Sequence, residues 1–487
     1  MTRPRAAKIA AIAVVGALAA AAVVGAAAAG AALFVSSRRE VTTSSSEALR
    51  LYRAARENEY KLYVREATTG YASALEHDPR FFMAKVRLAF LLAGRDRERA
   101  ASLLAAAAKS RDDVTPRERL SWDFVDASVR KDRDAAARAV DAFLALYPDD
   151  PEGYQQKAAI LERSGKREEA IGLYERLLEV NPNFAIAYNF LGYFLMARGE
   201  WDRSEEYFKR YRFLAPDQAN PYDSLGELYI ATGRWDDAEA SLRKAVEVKA
   251  DFFAAHGHLG TLAVARGEWG EAARHYARAA ELVPGGKGSV DFRLAEVLST
   301  IHAGDRAAAH RLLDTWGTSL PVGAGPRDAV ELRVVRAILL VSEERIPEAE
   351  REVALTAPVA SSPGTPDDGL AAWEYVHGSL RAAIALRCGR GTDSDVAAVR
   401  RPWPPDRESM SGISYFPGKE TFRVFLAESL AAAGRRGEAL EVVGEILAGS
   451  PRCRPAIEAR SRLTGEASAA LTLAAPGASD ARNAPAR

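Results

Sequence analysis

A 34-residue period constrains this chain more than any other feature of its sequence. Gly165, Gly199, Gly233 and Gly267 stand 34 residues apart, and so do Trp201, Trp235 and Trp269. Pro148, Pro182 and Pro216 form a third row, broken by Ala250 and restored at Pro284. Tyr154, Tyr188, Tyr222 and His256 form another, as do Ala158, Gly192, Gly226 and Gly260. Ala170, Ser204, Ala238 and Ala272 follow the same spacing, and Tyr174, Phe208, Leu242 and Tyr276 complete the set. A chain that repeats at this period builds a row of similar units, not one closed core.

The residue types say what each unit is. Tyr188, Leu191, Gly192 and Leu195 share one helical face by their spacing of three and four. Gly199 ends that helix, because glycine accepts the left-handed turn that stops a helix. A second helix is expected from Trp201 to Leu214, burying Phe208 and Tyr211. Gly192 and Ser204 are small enough to let the two helices approach closely. Pro216 follows and cannot extend the second helix. Each unit is therefore a helical hairpin. One hairpin cannot bury its apolar face alone, so successive copies must stack.

This pattern closely resembles the tetratricopeptide repeat (TPR) family, which has the same period and the same small, aromatic and proline positions. The clear copies are 151–184, 185–218, 219–252 and 253–286. Weaker copies fit 48–81, 82–115 and 117–150, and one more fits 420–452, marked by Leu426, Ala427, Leu430, Gly434, Ala439 and Pro451. The resemblance implies an all-α fold, a right-handed superhelical solenoid of roughly ten hairpins. The runs "YNFLGYFLMARGEW" and "NPYDSLGELYIATGRWDDAE" also resemble TPR regions attached to bacterial serine/threonine kinases and transcriptional regulators. The sequence has no kinase Gly-rich loop, no HRD and no DFG.

Ahead of the repeats, Ile9 to Val35 carry no charge and no strongly polar side chain. At about 1.5 Å per residue this run exceeds the roughly 30 Å hydrocarbon core of a bilayer. A cleaved signal peptide needs an apolar stretch of only about 7–15 residues, so the length favours an uncleaved signal anchor. Small residues such as Ala27 and Ala29 still offer a cleavage site. Arg3, Arg5 and Lys8 precede the run; Arg38, Arg39 and Glu40 follow it. This flank charge places the N-terminus in the cytoplasm and the array in the periplasm of a bacterial inner membrane. Gly16, Ala20, Ala21, Gly25 and Ala29 have a spacing that packs two helices, which allows self-association, although any alanine-rich span contains it.

The expected organisation is a basic flank at 1–8, a membrane helix at 9–35, a Ser/Thr-rich tether at 36–47 and the array at 48–286. Divergent hairpins follow at 287–419, interrupted by "PGGKGS", "TSLPVGAGPR", "TAPVASSPGTPDD" and the Pro-rich stretch 401–418. A last TPR-like hairpin occupies 420–465, and 466–487 is a low-complexity tail expected to be disordered.

The charge balance, 66 Lys+Arg against 66 Asp+Glu, gives no support for a nucleic-acid partner. Two cysteines, Cys388 and Cys453, exclude a disulfide scaffold and any CxxC site, and leave one bridge open. No GxSxG, P-loop or HExxH is present. His256 and His258 form an HxH pair, but on a helix they point to different faces. His256 also stands in the packing row of Tyr154, Tyr188 and Tyr222. No catalytic residue, metal ligand or cofactor is expected, and the chain is read as a non-enzyme.

The functional surface is then the concave face, which the first helix of each hairpin lines in TPR arrays. Residues there that stacking does not require are Gln155, Asn189, Tyr193, Asp223, Glu227, His258 and Thr261. Asn189 and Tyr193 suit contacts with a peptide; Asp223 and Glu227 add negative charge for a basic or polar segment. The expected function is a membrane-anchored adaptor that binds protein partners in this groove during envelope complex assembly. The alternative is a signalling or sensory protein of the kinase-associated kind. An enzyme with its site in 288–419 is a third reading that no motif supports.

Overall fold

A computed structural model describes residues 41–94, 96–283, 287–318, 326–356, 367–402, 418–450 and 452–466. The expected membrane helix at 9–35 lies outside these residues, as do residues 36–40 of the tether and the tail from 467. Among the described residues, no helix is long and apolar enough to cross a membrane. The described chain is helical, with no strand. It divides into two compact units, residues 1–173 and 174–487.

The first unit contains α1 (Ser46–Tyr60), α2 (Val64–His77), α3 (Phe82–Leu92), α4 (Arg97–Ala108), α5 (Pro116–Arg130), α6 (Arg133–Leu146) and α7 (Pro151–Arg163). Helix α8 (Arg167–Val180) spans the boundary. Consecutive helices pair into antiparallel hairpins around a core of Tyr52, Tyr71, Phe81, Phe124 and Phe143. The Tyr52 ring packs 5.4 Å from Tyr71 and 5.0 Å from Phe81. Lys131 ends α5 in the left-handed conformation, where the later copies use glycine. The described end of the tether is not loose. Thr42 donates its backbone N–H and its hydroxyl to the two oxygens of Glu118, each at 2.7 Å. Thr43 donates to Asp78 at 2.6 Å, and Ser45 caps α1 by accepting from the Ala48 N–H.

The second unit carries the regular copies. Its hairpins are α9 (Ala185–Ala197) with α10 (Trp201–Leu214), α11 (Asn220–Thr232) with α12 (Trp235–Val248), and α13 (Phe253–Arg266) with α14 (Trp269–Leu282). The close approach read from the small residues is present: a Cβ on Gly192 would lie 2.5 Å from the Phe208 ring. The Ser204 hydroxyl also donates to the Gly192 carbonyl at 2.7 Å, a bond added where the other copies carry alanine.

The divergent region keeps the hairpin plan. Helix α15 (Lys287–His302) pairs with α16 (Arg306–Thr318), α17 (Pro326–Ser342) with α18 (Ile346–Ala354), and α19 (Asp367–Arg387) with α20 (Asp393–Arg400). Helices α21 (Gly418–Ala432) and α22 (Arg436–Gly449) form the last described hairpin, and α23 (Arg454–Thr464) packs against both of them. Phe292 of α15 packs against Phe253 and Tyr276, so the core continues beyond the interrupting "PGGKGS". Cys388 and Cys453 are free thiols, both half-buried.

Candidate functional site

Helices α9, α11 and α13 are the first helices of three consecutive hairpins. Equivalent positions on them face the next copy, so a polar residue at one meets a polar residue one repeat later. Ser224 donates its hydroxyl to Asn189 Oδ1 at 2.8 Å. The Tyr193 hydroxyl donates to Glu227 Oε2 at 2.8 Å and lies 3.3 Å from the Ser224 hydroxyl. His258 Nδ1 stands 2.8 Å from Asp223 Oδ1, and its Nε2 stands 3.4 Å from Glu227 Oε2. Together Asn189, Ser224, Tyr193, Glu227, His258 and Asp223 form one polar ladder across three copies.

The ladder is buried. Asn189 is 4% exposed, Asp223 2%, and Glu227 and His258 1% each. This departs from the expectation of a solvated groove lining. The physical reason is mutual satisfaction: each side chain finds its partner on the neighbouring copy, so burial leaves most of its polar atoms bonded. Tyr193 and Thr261 are half-buried and keep some surface. Thr261 is held within its own hairpin; its hydroxyl donates to the Gly257 carbonyl at 3.2 Å and accepts from Tyr276. Gln155 is half-buried in the first unit and is not part of the ladder.

Burial alone would push the His258 imidazole down. The carboxylates of Asp223 and Glu227 outweigh it and lift His258 to about 9. The imidazole is therefore charged at neutral pH and sits between two acids. Burial pushes the Glu227 carboxyl above the usual range, against the pull of His258 and the Tyr193 hydroxyl. Glu227 Oε1 has no hydrogen-bond partner among the described residues. A charged histidine held between two carboxylates joins consecutive repeats.

The two histidines of the HxH pair have separate surroundings. His256 Nε2 donates to the Ala250 carbonyl at 3.1 Å. Its ring lies 6.1 Å from His275, at a cavity of about 540 Å³ that Glu239, Arg243 and Glu271 also line. Among the described residues, no three His, Cys, Asp or Glu side chains are placed to hold a metal ion.

A family model described as tetratricopeptide repeat matches residues 156–219 and 224–287. Residues 156–287 are tetratricopeptide repeats. The second and third clear TPR copies supply most of the ladder, and the fourth adds His258. Similar solved structures include a tetratricopeptide repeat protein from Parabacteroides merdae, 18% identical over 54% of this chain and 98% of that one, with a TM-score of 0.38. PilW, described as a type IV pilus biogenesis factor, is 18% identical over 40% of this chain and 90% of that one, with a TM-score of 0.36. YrrB, described as a TPR protein with an unusual peptide-binding site, is 19% identical over 43% of this chain and the whole of that one, with a TM-score of 0.29. No curated protein matches the chain.

The TPR tryptophan row is structural, with some variation. Trp269 stacks on His302 at 4.4 Å, and Trp201 is 42% exposed. Sequence reading missed a second polar feature, a charged seam inside the first unit. Arg56, Arg87 and Arg117 sit on α1, α3 and α5 and converge on Glu152 of α7. Arg87 Nη1 lies 3.0 Å and Arg117 Nη2 3.1 Å from the Glu152 carboxylate, with Arg56 at 3.5 Å. Glu59 pairs with Arg87 and accepts from the Tyr71 hydroxyl. Burial would raise the Glu152 carboxyl, but the three guanidiniums together push it down to about 2. These residues do not recur at 34, because Arg56, Arg87, Arg117 and Glu152 stand at different places along their helices and differ in type. A row comparison at a fixed period cannot see them.

Proposed function

We propose that this protein is a non-catalytic scaffold that binds a protein segment along the first-helix face of its TPR copies. The observation that carries the reading is the division of labour in residues 185–286. Aromatic and small side chains do the stacking, while Asn189, Tyr193, Asp223, Glu227 and His258 form a separate polar stripe along three first helices. Tyr193, a member of the stripe, and Thr261, beside it on the third first helix, are half-buried and keep surface, so a bound segment meets these first. The polar side chains beneath them suit a polar segment.

In this reading the apolar run at 9–35 anchors the protein in a bacterial inner membrane, with the array on the periplasmic side. Only residues 36–41 separate the run from Thr42, the first residue hydrogen-bonded to the array, so the spacer is short. The scaffold then stands close to the membrane and raises the local concentration of its partner for envelope complex assembly. The test is site-specific photo-crosslinking in cells at positions 193 and 261, with membrane fractionation of the adduct. One partner captured at both positions and recovered with the inner membrane supports the reading. Recovery of the intact protein in the soluble fraction would contradict its membrane part.

A further inference from the structure

The segment from Arg452 to Thr464 returns to the TPR copies within the second unit. Helix α23 packs against α13. Just ahead of α23, Arg452 donates from Nη1 to the Ala231 carbonyl at 2.8 Å. Ala231 lies in the last turn of α11, where carbonyls have no partner within the helix. The same guanidinium covers the turn glycine: a Cβ on Gly233 would lie 2.3 Å from Arg452 Cζ. One copy further on, a Cβ on Gly267 would lie 3.1 Å from Arg454 Nε. Arg454 is steadied by Glu458 at 2.9 Å.

The chemistry on the two sides is complementary. The C-terminal ends of helices carry negative partial charge and free carbonyl oxygens. Arginine offers a rigid fork of donors and a flat face that lies over a residue with no side chain. Cys453 between the two arginines is extended, so they reach two adjacent turns, one arginine for each copy. The contact is selective within the second unit. At Gly199 the nearest atom to an added Cβ is its own neighbour Trp201 at 3.9 Å, and at Gly304 and Gly434 nothing lies within 4 Å.

We propose that the turn edge of copies 219–252 and 253–286 is a recognition surface for an Arg-x-Arg segment, and that Arg452–Cys453–Arg454 is its intrachain occupant. The surface is the row of turns at the ends of the first helices, not their polar stripe. A partner carrying two arginines separated by one residue competes with the chain's own C-terminus for it.

The test uses the full chain and a fluorescent peptide of residues 448–466 as the probe. The R452A/R454A protein vacates the edge and is expected to bind this peptide about tenfold more tightly than the wild type, the scale of charge-assisted hydrogen bonds. The same peptide with both arginines changed to alanine is expected not to bind. Hydrogen exchange gives a second reading: amides at 229–236 and 263–270 should exchange faster in R452A/R454A. Equal binding of the peptide to both proteins, or unchanged exchange at both turns, would overturn the proposal. Neither result depends on crosslinking at 193 and 261, so failure here is distinct from failure of the groove reading.

Discussion

The imidazole of His258 lies 2.8 Å from the carboxylate of Asp223, 35 residues earlier in the chain and one copy back in the stack. The pair joins two TPR copies through charge, beneath a surface that their apolar residues already join by packing. Truncating one partner leaves the other buried and uncompensated, which typically costs about 3–5 kcal/mol. The His258→Leu variant should therefore melt at a clearly lower temperature. The double variant D223L/H258L should recover part of that loss, because no charge of the pair is left stranded.

The same pair gives the second unit an alkaline limit. His258 is raised from 6.5 to about 9, so its stabilisation is complete below about pH 6.5 and is lost as pH rises through 9. Burial also raises Glu227, which faces His258 together with Asp223 and Tyr193; its cost of ionising sets in as pH rises above about 4.5, before the His258 transition begins. The stabilisation is on the order of 3 kcal/mol. Hydrogen exchange at 220–232 and 253–266 should accelerate between pH 7 and 9.5, after correction for intrinsic rates. The His258→Gln variant should show a flatter profile.

The first unit has the opposite limit. Glu152 is held down to about 2, so its contribution is present above about pH 4.5 and disappears as pH falls through 2. Glu152→Ala leaves Arg56, Arg87 and Arg117 facing each other without their shared acid. The expected loss is about 3–5 kcal/mol, read by chemical denaturation with a probe in the first unit. A loss under about 1 kcal/mol would mean that the seam is solvated and adds little.

Gly192→Val tests the hairpin packing. The new side chain would enter the space of the Phe208 ring, 2.5 Å from where its Cβ must go. Overpacking of this kind costs about 1–3 kcal/mol. Gly192→Val with Phe208→Leu should regain stability in thermal melts, since the smaller partner makes room.

Thr42→Val removes the hydroxyl bonded to Glu118 and should loosen the segment ahead of α1. Limited proteolysis of the full chain should cut faster within 36–47, with no change in the second unit. Glu118 keeps its bonds to Thr115, so α5 should keep its N-terminal cap.

The hairpins of the second unit were legible because their determinants recur in fixed columns. Gly199, Gly233 and Gly267 all adopt the left-handed turn that their row implies. The ladder was only half legible. Asn189, Tyr193, Asp223, Glu227 and His258 were all singled out, but as separate groove residues open to a ligand. Two of their bonds run one place off the period, from Asn189 to Ser224 and from Asp223 to His258, so comparison within columns passes over them; Tyr193 and Glu227 do share a column, 34 apart, but a shared column does not show that its members bond. Ser224, which links Asn189 to Tyr193, stands beside the marked column and carries no signal of its own. The seam from Arg56 to Glu152 joins hairpins far apart in sequence, a contact that local pattern cannot supply.

The central claim is that a protein partner lies on the first-helix face of copies 185–286. Its most direct test places a photo-crosslinking residue at 193, 261 and, on a second helix, 209, in the full-length protein in cells. The account predicts one shared adduct at 193 and 261 and none at 209. An adduct of equal yield at all three positions, or one confined to 209, would contradict it.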